Sequence, residues 1–426
     1  MKIDYVEEGS CLRRLNIEVP EQEVTSAFEQ EADRLSRSLK LPGFRKGRIP
    51  KDLVKNRFRA EILSQVAREL VPEALNRALS ERSLTPIGEP RVDQVDMDAG
   101  RPLRFRASFE IMPQIEVQGY KNLEVVERSA EVTDEDVDKH LEALRDRAAE
   151  FHPVEGRGAR EGDLARGNLH EQVEEGRGPT RTREGVLIEV GSGSYHPALH
   201  EALDGAGPGD QVTAKASFAA DHPDPDRAGK TFDVRFELLE LKEKLLPQMD
   251  DELAKDLGEF ESLAELRAHV REQVQLEARR QAEQDLRRQL LDKLVEANAF
   301  DAPETLVEQE MDRRVEEAAR SLIDRGLDPR RAAVDWQALR EEQRDASRRS
   351  VQASILLDRI VAQENLWETQ EDVEAEIKRI ASELKRGVEA VRAQLMKEGA
   401  LERLRQRLRR EKAVDLLRQN ARIQRS

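Results

Sequence analysis

Residues 39–60 read LKLPGFRKGRIPKDLVKNRFRA and set eight lysines and arginines against one aspartate, with Phe44 among them. A basic loop is ordinarily a solvated surface whose exposed charges contribute little. The spacing here supports a sharper chemistry. Gly43 and Gly47 permit a tight exposed turn, Pro42 and Pro50 stiffen its two ends, and basic groups including Arg45 and Lys46 are presented beside Phe44. Cationic side chains neutralise phosphates, and an exposed ring can stack or fill an apolar pocket. The whole chain has 71 basic and 87 acidic residues and a net charge of −16, so everything outside this +7 segment stands at −23. That remainder repels a long polyanion. General nucleic-acid binding through this loop is therefore the weaker reading, and a local contact is the stronger one.

Four histidines, His170, His196, His200 and His222, invite a metal site, because neutral imidazoles are good ligands. Only His196 and His200 share a helical spacing. They follow a loop and flank Pro197, with no cysteine or acid cluster nearby, so solvated loop histidines and no metal are expected. No GxxxxGK[ST] phosphate cradle occurs, which leaves an ATP-driven cycle without support. No nucleophile stands with its base, and no cofactor is expected.

With 426 residues the chain is long enough for several domains. At 38% hydrophobic, 4% aromatic and 37% charged residues it reads as helix-rich, with charged helix faces. The single cysteine, Cys11, excludes an internal disulfide framework. The opening MKIDYVEEGS lacks a signal-peptide pattern, and no run of about 18 apolar residues occurs. A cytoplasmic protein without a membrane contact is expected.

These residues need elements to position them. CLRRLNIEVP alternates as a strand ended by Pro20. A helix over about 22–39 carries Val24, Phe28, Ala32, Leu35 and Leu39, and a second over 51–80 carries Leu53, Val54, Ile62, Val66 and Leu70; the basic loop joins them. RPLRFRASFEIMP alternates strictly through Leu103, Phe105, Ala107, Phe109 and Ile111, as a half-buried hairpin should. Residues 1–115 thus read as a small α+β domain. NLEVVER is strand-like, and TDEDVDKHLEALRDRAAEF is a connecting helix with Thr133 at its N-cap, so 116–149 reads as a linker. Residues 150–245 are rich in Gly and Pro between short β-type runs and form a β-rich domain. Residues 246–426 are helical. From Leu263 to Leu294 their apolar residues recur at nearly every fourth position, so the stripe drifts around the rod and different partners must cover different turns. An array of helical arms fits this better than a single coiled coil.

LPGFRKGRIP resembles the GFRxGxxP signature of the trigger factor family, bacterial ribosome-associated chaperones, and the resemblance covers essentially the whole chain. AFDAPETLVEQEM, with Pro303, Leu306 and Glu310, is similar to the family's VPxxLxxxE element. The resemblance implies the domain order found above: ribosome-docking, FK506-binding-type prolyl isomerase, and helical chaperone domain. It implies that Gly43, Phe44, Arg45, Lys46 and Gly47 dock on protein and RNA of the large ribosomal subunit beside the exit tunnel. Nascent chains are the implied clients, and a homodimer off the ribosome is allowed.

The isomerase-type domain departs from the FK506-binding-type family it resembles. Where the family has an Asp-aromatic pair, LARGNLHEQVEEG has Asn168 and Leu169. The GxGxxIPGFExxL stretch reads GSGSYHPALHEAL, which puts His196 at the apolar position before the proline and Leu199 at the floor aromatic. The loop Tyr falls at His222. Such a pocket works by holding a proline in an aromatic cup that favours the twisted amide against a barrier of about 18–20 kcal/mol. With the rings lost, weak or absent activity is expected. An active isomerase rebuilt from Tyr195, Phe232 and Phe236 is the alternative. The reading is an ATP-independent, ribosome-associated chaperone on an α+β multidomain fold.

Overall fold

A computed structural model describes the chain apart from residues 40, 41, 43, 45–48, 174–180, 194, 221–226, 331–333 and 426. The chain packs as two units, residues 1–129 with 283–426, and residues 130–282.

The first unit begins with β1 (Lys2–Glu8), β2 (Leu12–Val19), α1 (Glu21–Ser38), α2 (Lys51–Arg57), α3 (Arg59–Glu81), β3 (Ile87–Asp96), β4 (Leu103–Glu110) and β5 (Glu124–Glu127). The first four strands form an antiparallel sheet in the order β1-β2-β4-β3. Period-two alternation in β2 and β4 buries Leu15, Ile17, Leu103, Phe105 and Phe109 against Val24 of α1 and Ala74 of α3. The helix expected over 51–80 is broken. Phe58 leaves helical geometry at φ −115°, ψ 23°, separating α2 from α3. Val54, Phe58 and Ile62 nevertheless all join one cluster with Phe28 and Ala32 of α1. Periodicity alone does not show such a break, because the apolar spacing runs straight through it.

The second unit contains α4 (Asp134–Arg147), β6 (Glu150–Pro153), β7 (Leu164–Val173), β8 (Arg181–Glu189), α5 (Pro197–Leu203), β9 (Gln211–Ser217), β10 (Thr231–Leu245), α6 (Asp251–Leu257) and the start of α7 (Leu263–Ala297). Thr133 and Asp136 close a reciprocal capping box on α4. The long strand β10 pairs along one edge with β7, whose other edge takes β8; β10 also pairs with β9 and β6. Leu199 and Leu203 of α5 pack with Leu169, Ile188 and Phe236 of the sheet.

The drifting stripe of α7 behaves as its spacing requires. Leu266, Val270 and Val274 pack with Val137, Leu141 and Ala254 in the second unit. Leu286, Leu290 and Leu294 pack with Leu356, Ile360, Val414 and Leu417 in the first. One helix therefore feeds two separate cores.

The first unit is completed by α8 (Glu304–Asp324), α9 (Trp336–Glu342), α10 (Arg344–Glu364), α11 (Gln370–Glu383), α12 (Val388–Lys397), α13 (Ala400–Asn420) and β11 (Arg422–Arg425). The C-terminal region is not wholly helical: β11 runs parallel to β5, pairing Arg422 with Glu124 through Arg425 with Glu127. Arginines facing glutamates explain why so polar a segment can be a strand. At α8 the N-cap is Pro303, which has no side-chain acceptor. Glu110 of β4 takes that role, accepting the backbone N–H groups of Glu304 at 2.9 Å and Thr305 at 2.8 Å. A distant carboxylate thus fixes the N-terminal sheet to the helices.

Helices α11 to α13 share a core of Val373, Ile377, Ala381, Val391 and Leu404. Asp372 joins their ends. It receives Lys412 of α13 at 2.6 Å and closes a capping box with Thr369. Its hydrogen bond from Lys412, then those from Thr369, hold the carboxyl down at about 2. Because this lies below the ordinary carboxylate value of about 4, the contribution is complete above that value and is lost as pH falls through the folded one. The thermal midpoint of Asp372→Asn should lie below the parent's by a constant margin near neutral pH, and the gap should close as the pH approaches the folded value. Far-ultraviolet circular dichroism melts across the pH series check this.

Candidate functional sites

The basic turn is carried by α1 and α2. Lys55 meets Glu29 at 2.5 Å, and Lys51 pairs with Asp33, which also holds Arg37 at 2.6 Å. Lys51 keeps the Asp33 carboxyl below its usual range. Ile49 is buried with Phe28, Ala32 and Val54. Phe44 is 42% exposed. Fully burying such a ring is worth about 1.5–3 kcal/mol, so part of that gain is unrealised at Phe44. Gly43, Arg45, Lys46 and Gly47 lie outside the described residues.

In the second unit, Leu169 of β7 and Leu199 of α5 are both buried in the core. His196 and His200 are not solvated loop histidines. His196 caps α5: its Nδ1 accepts the Ala198 N–H at 3.2 Å, and its Nε2 lies 3.2 Å from the Ser217 carbonyl oxygen. Accepting at Nδ1 and donating from Nε2 is the pattern of a neutral ring. His200 is only 8% exposed, and its Nδ1 accepts the Gly191 N–H at 3.0 Å. Both therefore use for the backbone a lone pair that a metal would need. His170, on β7, meets Thr182 Oγ1 at 3.0 Å, and His222 lies outside the described residues. Asn168 ties three strands by donating to Glu237 at 3.1 Å and accepting the Gly185 N–H at 3.3 Å.

The rings proposed for a rebuilt cup are largely committed elsewhere. Phe236 is 0% exposed, and a Cβ at Gly167 would stand 2.6 Å from its ring. Phe232 is also buried, while Tyr195 is half-buried under the Arg183 guanidinium, 5.9 Å from the ring centre. Sequence reasoning missed Phe218. Its ring meets His196 edge-on at 5.4 Å and Phe232 at 5.8 Å. It opens the FAADHPDP stretch that also holds His222.

The helical arms show a third feature. Ile323 near the end of α8 is 59% exposed, and Leu384, which caps α11, is 56% exposed; Leu327, shortly after α8, and Met396, near the end of α12, are exposed as well. Pro303, Leu306 and Glu310 are structural. Leu306 packs beside Val307 and Met311, and Glu310 is clasped by Arg313 at 2.6 Å and Arg314 at 3.1 Å. Burial pushes the Glu310 carboxyl up, but the two guanidiniums outweigh it and hold it below the usual range. Arg314 reaches on to Gln343 Oε1 at 3.3 Å, tying α8 to the α9–α10 turn.

The family model described as bacterial trigger factor protein matches residues 1–144, and that of the trigger factor C-terminus matches 262–419. Trigger factor of Solibacter usitatus is 32% identical over 393 residues, covering 92% of this chain and 93% of its own. The chain belongs to the trigger factor family. Trigger factor of Anaeromyxobacter dehalogenans is 36% identical over 407 residues, covering 94% of this chain and 95% of its own. A solved structure of the trigger factor chaperone aligns over 98% of this chain and 99% of its own at 23% identity, with a TM-score of 0.48. Membership makes the chain a ribosome-associated chaperone that assists folding. Among its described residues, no helix is long and apolar enough to cross a membrane.

Because Leu199 is enclosed, restoring a ring there overpacks the core and opens no cup. Leu199→Phe should lose about 1–3 kcal/mol in denaturant unfolding. It should also gain no activity in a protease-coupled Xaa-Pro assay.

Proposed function

We propose that this chain holds exposed apolar stretches of nascent polypeptide in the cytoplasm without ATP, stationed beside the exit tunnel of the large ribosomal subunit. Residues 1–115 would dock through Gly43, Phe44, Arg45, Lys46 and Gly47. Residues 116–149 would link, 150–245 would form the isomerase-type domain, and 246–426 the chaperone domain. The exposed aliphatic side chains at the ends of α8 and α11 carry this reading, since such groups otherwise stay covered. Charged flanks keep the association weak and reversible. Self-association off the ribosome would cover the same groups, which supports a homodimer there.

Prolyl isomerisation is proposed to be weak or absent. The aliphatic Leu169 and Leu199 offer no ring face, and His196 already uses both ring nitrogens.

Replacing Phe44, Arg45 and Lys46 together with Ala should abolish cosedimentation with ribosomes and leave the helical circular dichroism spectrum unchanged. Aggregation of an unfolded client should still be suppressed by this variant in nucleotide-free buffer. Undiminished ribosome binding would sink the docking assignment, and protection that needed ATP would sink the holding mechanism.

A further inference from the structure

Within the second unit, α4, the α6–α7 connection and the first half of α7 enclose a cleft of about 530 Å³. Its floor is apolar. Leu266, Val270 and Val274 of α7 are buried there, while Leu144 of α4, Leu257 of α6 and Phe260 stay half-buried against them. Gly258 leaves room for the Phe260 wall: a Cβ there would stand 2.9 Å from the ring, so a side chain at 258 would push the ring aside. His269 extends the wall, its ring centre 5.2 Å from that of Phe260 at a tilt of 45°. The rim carries both signs. Arg147 and the imidazoles of His140 and His269 stand with Glu259 and Glu277, and Gln273 supplies an amide among them. In its neutral form His140 donates from Nδ1 to the Asp136 carbonyl at 2.9 Å, which leaves Nε2 an acceptor.

We propose that this cleft is a binding site for an uncharged small amphiphile, with an apolar body resting on Leu257 and Phe260 and a hydroxyl- or amide-bearing head at the rim. Its size and lining are those of a small-molecule site, which typically spans roughly 300–1,000 Å³ and is mostly apolar with a few polar groups placed around it. The charge pattern selects the head. A carboxylate or phosphate at the rim would meet Arg147 but also Glu259 and Glu277, in a chain of net charge −16, and a cation would meet Arg147. A hydroxyl or amide both donates and accepts, so it satisfies carboxylate, guanidinium and imidazole alike and brings no charge of its own to desolvate. The floor selects the body, because half-buried Leu144, Leu257 and Phe260 keep apolar surface in water until a ligand covers it.

Three probes that share an eight-carbon tail separate head from body: octyl glucoside, octanoate and octyltrimethylammonium, each kept below its micellar concentration. Titration calorimetry with the full chain should show octyl glucoside binding about tenfold more tightly than either ion. Ala143 of α4 and Gln273 of α7 are exposed lining residues on opposite sides of the cleft's mouth. Ala143→Trp and Gln273→Trp should each plug the cleft and weaken octyl glucoside by about tenfold or more, with thermal melting and ribosome cosedimentation unchanged. The head-group preference is read on the unaltered chain, so it tests the assignment whatever the plugs do to folding. An ion that bound as tightly as the glucoside, or glucoside binding that survived both plugs, would overturn the assignment. Competitive displacement of the glucoside by an unfolded client would overturn it too, in favour of polypeptide.

Discussion

The architecture depends on the mismatch between a four-residue apolar repeat and the 3.6-residue turn of a helix. Each step of four overshoots a full turn by about 40°, so the stripe on α7 cannot keep facing one partner. Val270 and Val274 serve one core, and Leu290 and Leu294 serve another. A helix used in this way does not close into one bundle with its neighbours. The remaining helices make small clusters of their own, such as Val307 and Met311 with Val351 and Ile355, or Val373 and Ile377 with Val391 and Leu404. Small clusters leave helix ends uncovered, and those ends carry Ile323 and Leu384. The exposed surface a chaperone needs follows from the periodicity of its long helix.

Charge pairing does complementary work. Arg313 and Arg314 on Glu310, Arg410 on Asp358, and Arg409 on Glu368 tie neighbouring turns and helices while leaving little free charge between them. Exposed pairs add little stability singly, but they orient long side chains and set which cations remain available. Against that background the exposed Phe44 stands out as an apolar group that the chain itself leaves partly uncovered.

Features legible in the sequence were those with local causes. Thr133 with Asp136 announces a helix start, strict alternation from Leu103 to Phe109 announces a strand, and Gly and Pro around Phe44 announce a turn between two helices. The unread features depend on distant partners. KIDYVEE is a strand because β2 pairs with it, and RIQR because β5 does. Glu110 caps a helix from another region, which no pattern around Pro303 could reveal. His196 looks like a loop residue until α5 places the Ala198 amide against it, and Phe218 acquires its role only when β9 brings it beside that imidazole.

The most direct test of the central claim, that uncovered arm ends hold unfolded chain without nucleotide, is hydrogen exchange with and without a permanently unfolded client in nucleotide-free buffer. Added protection is expected at the end of α8 around Ile323 and at the α11–α12 turn around Leu384, with no change in strand β4. Client binding that left both arm ends unprotected would contradict it.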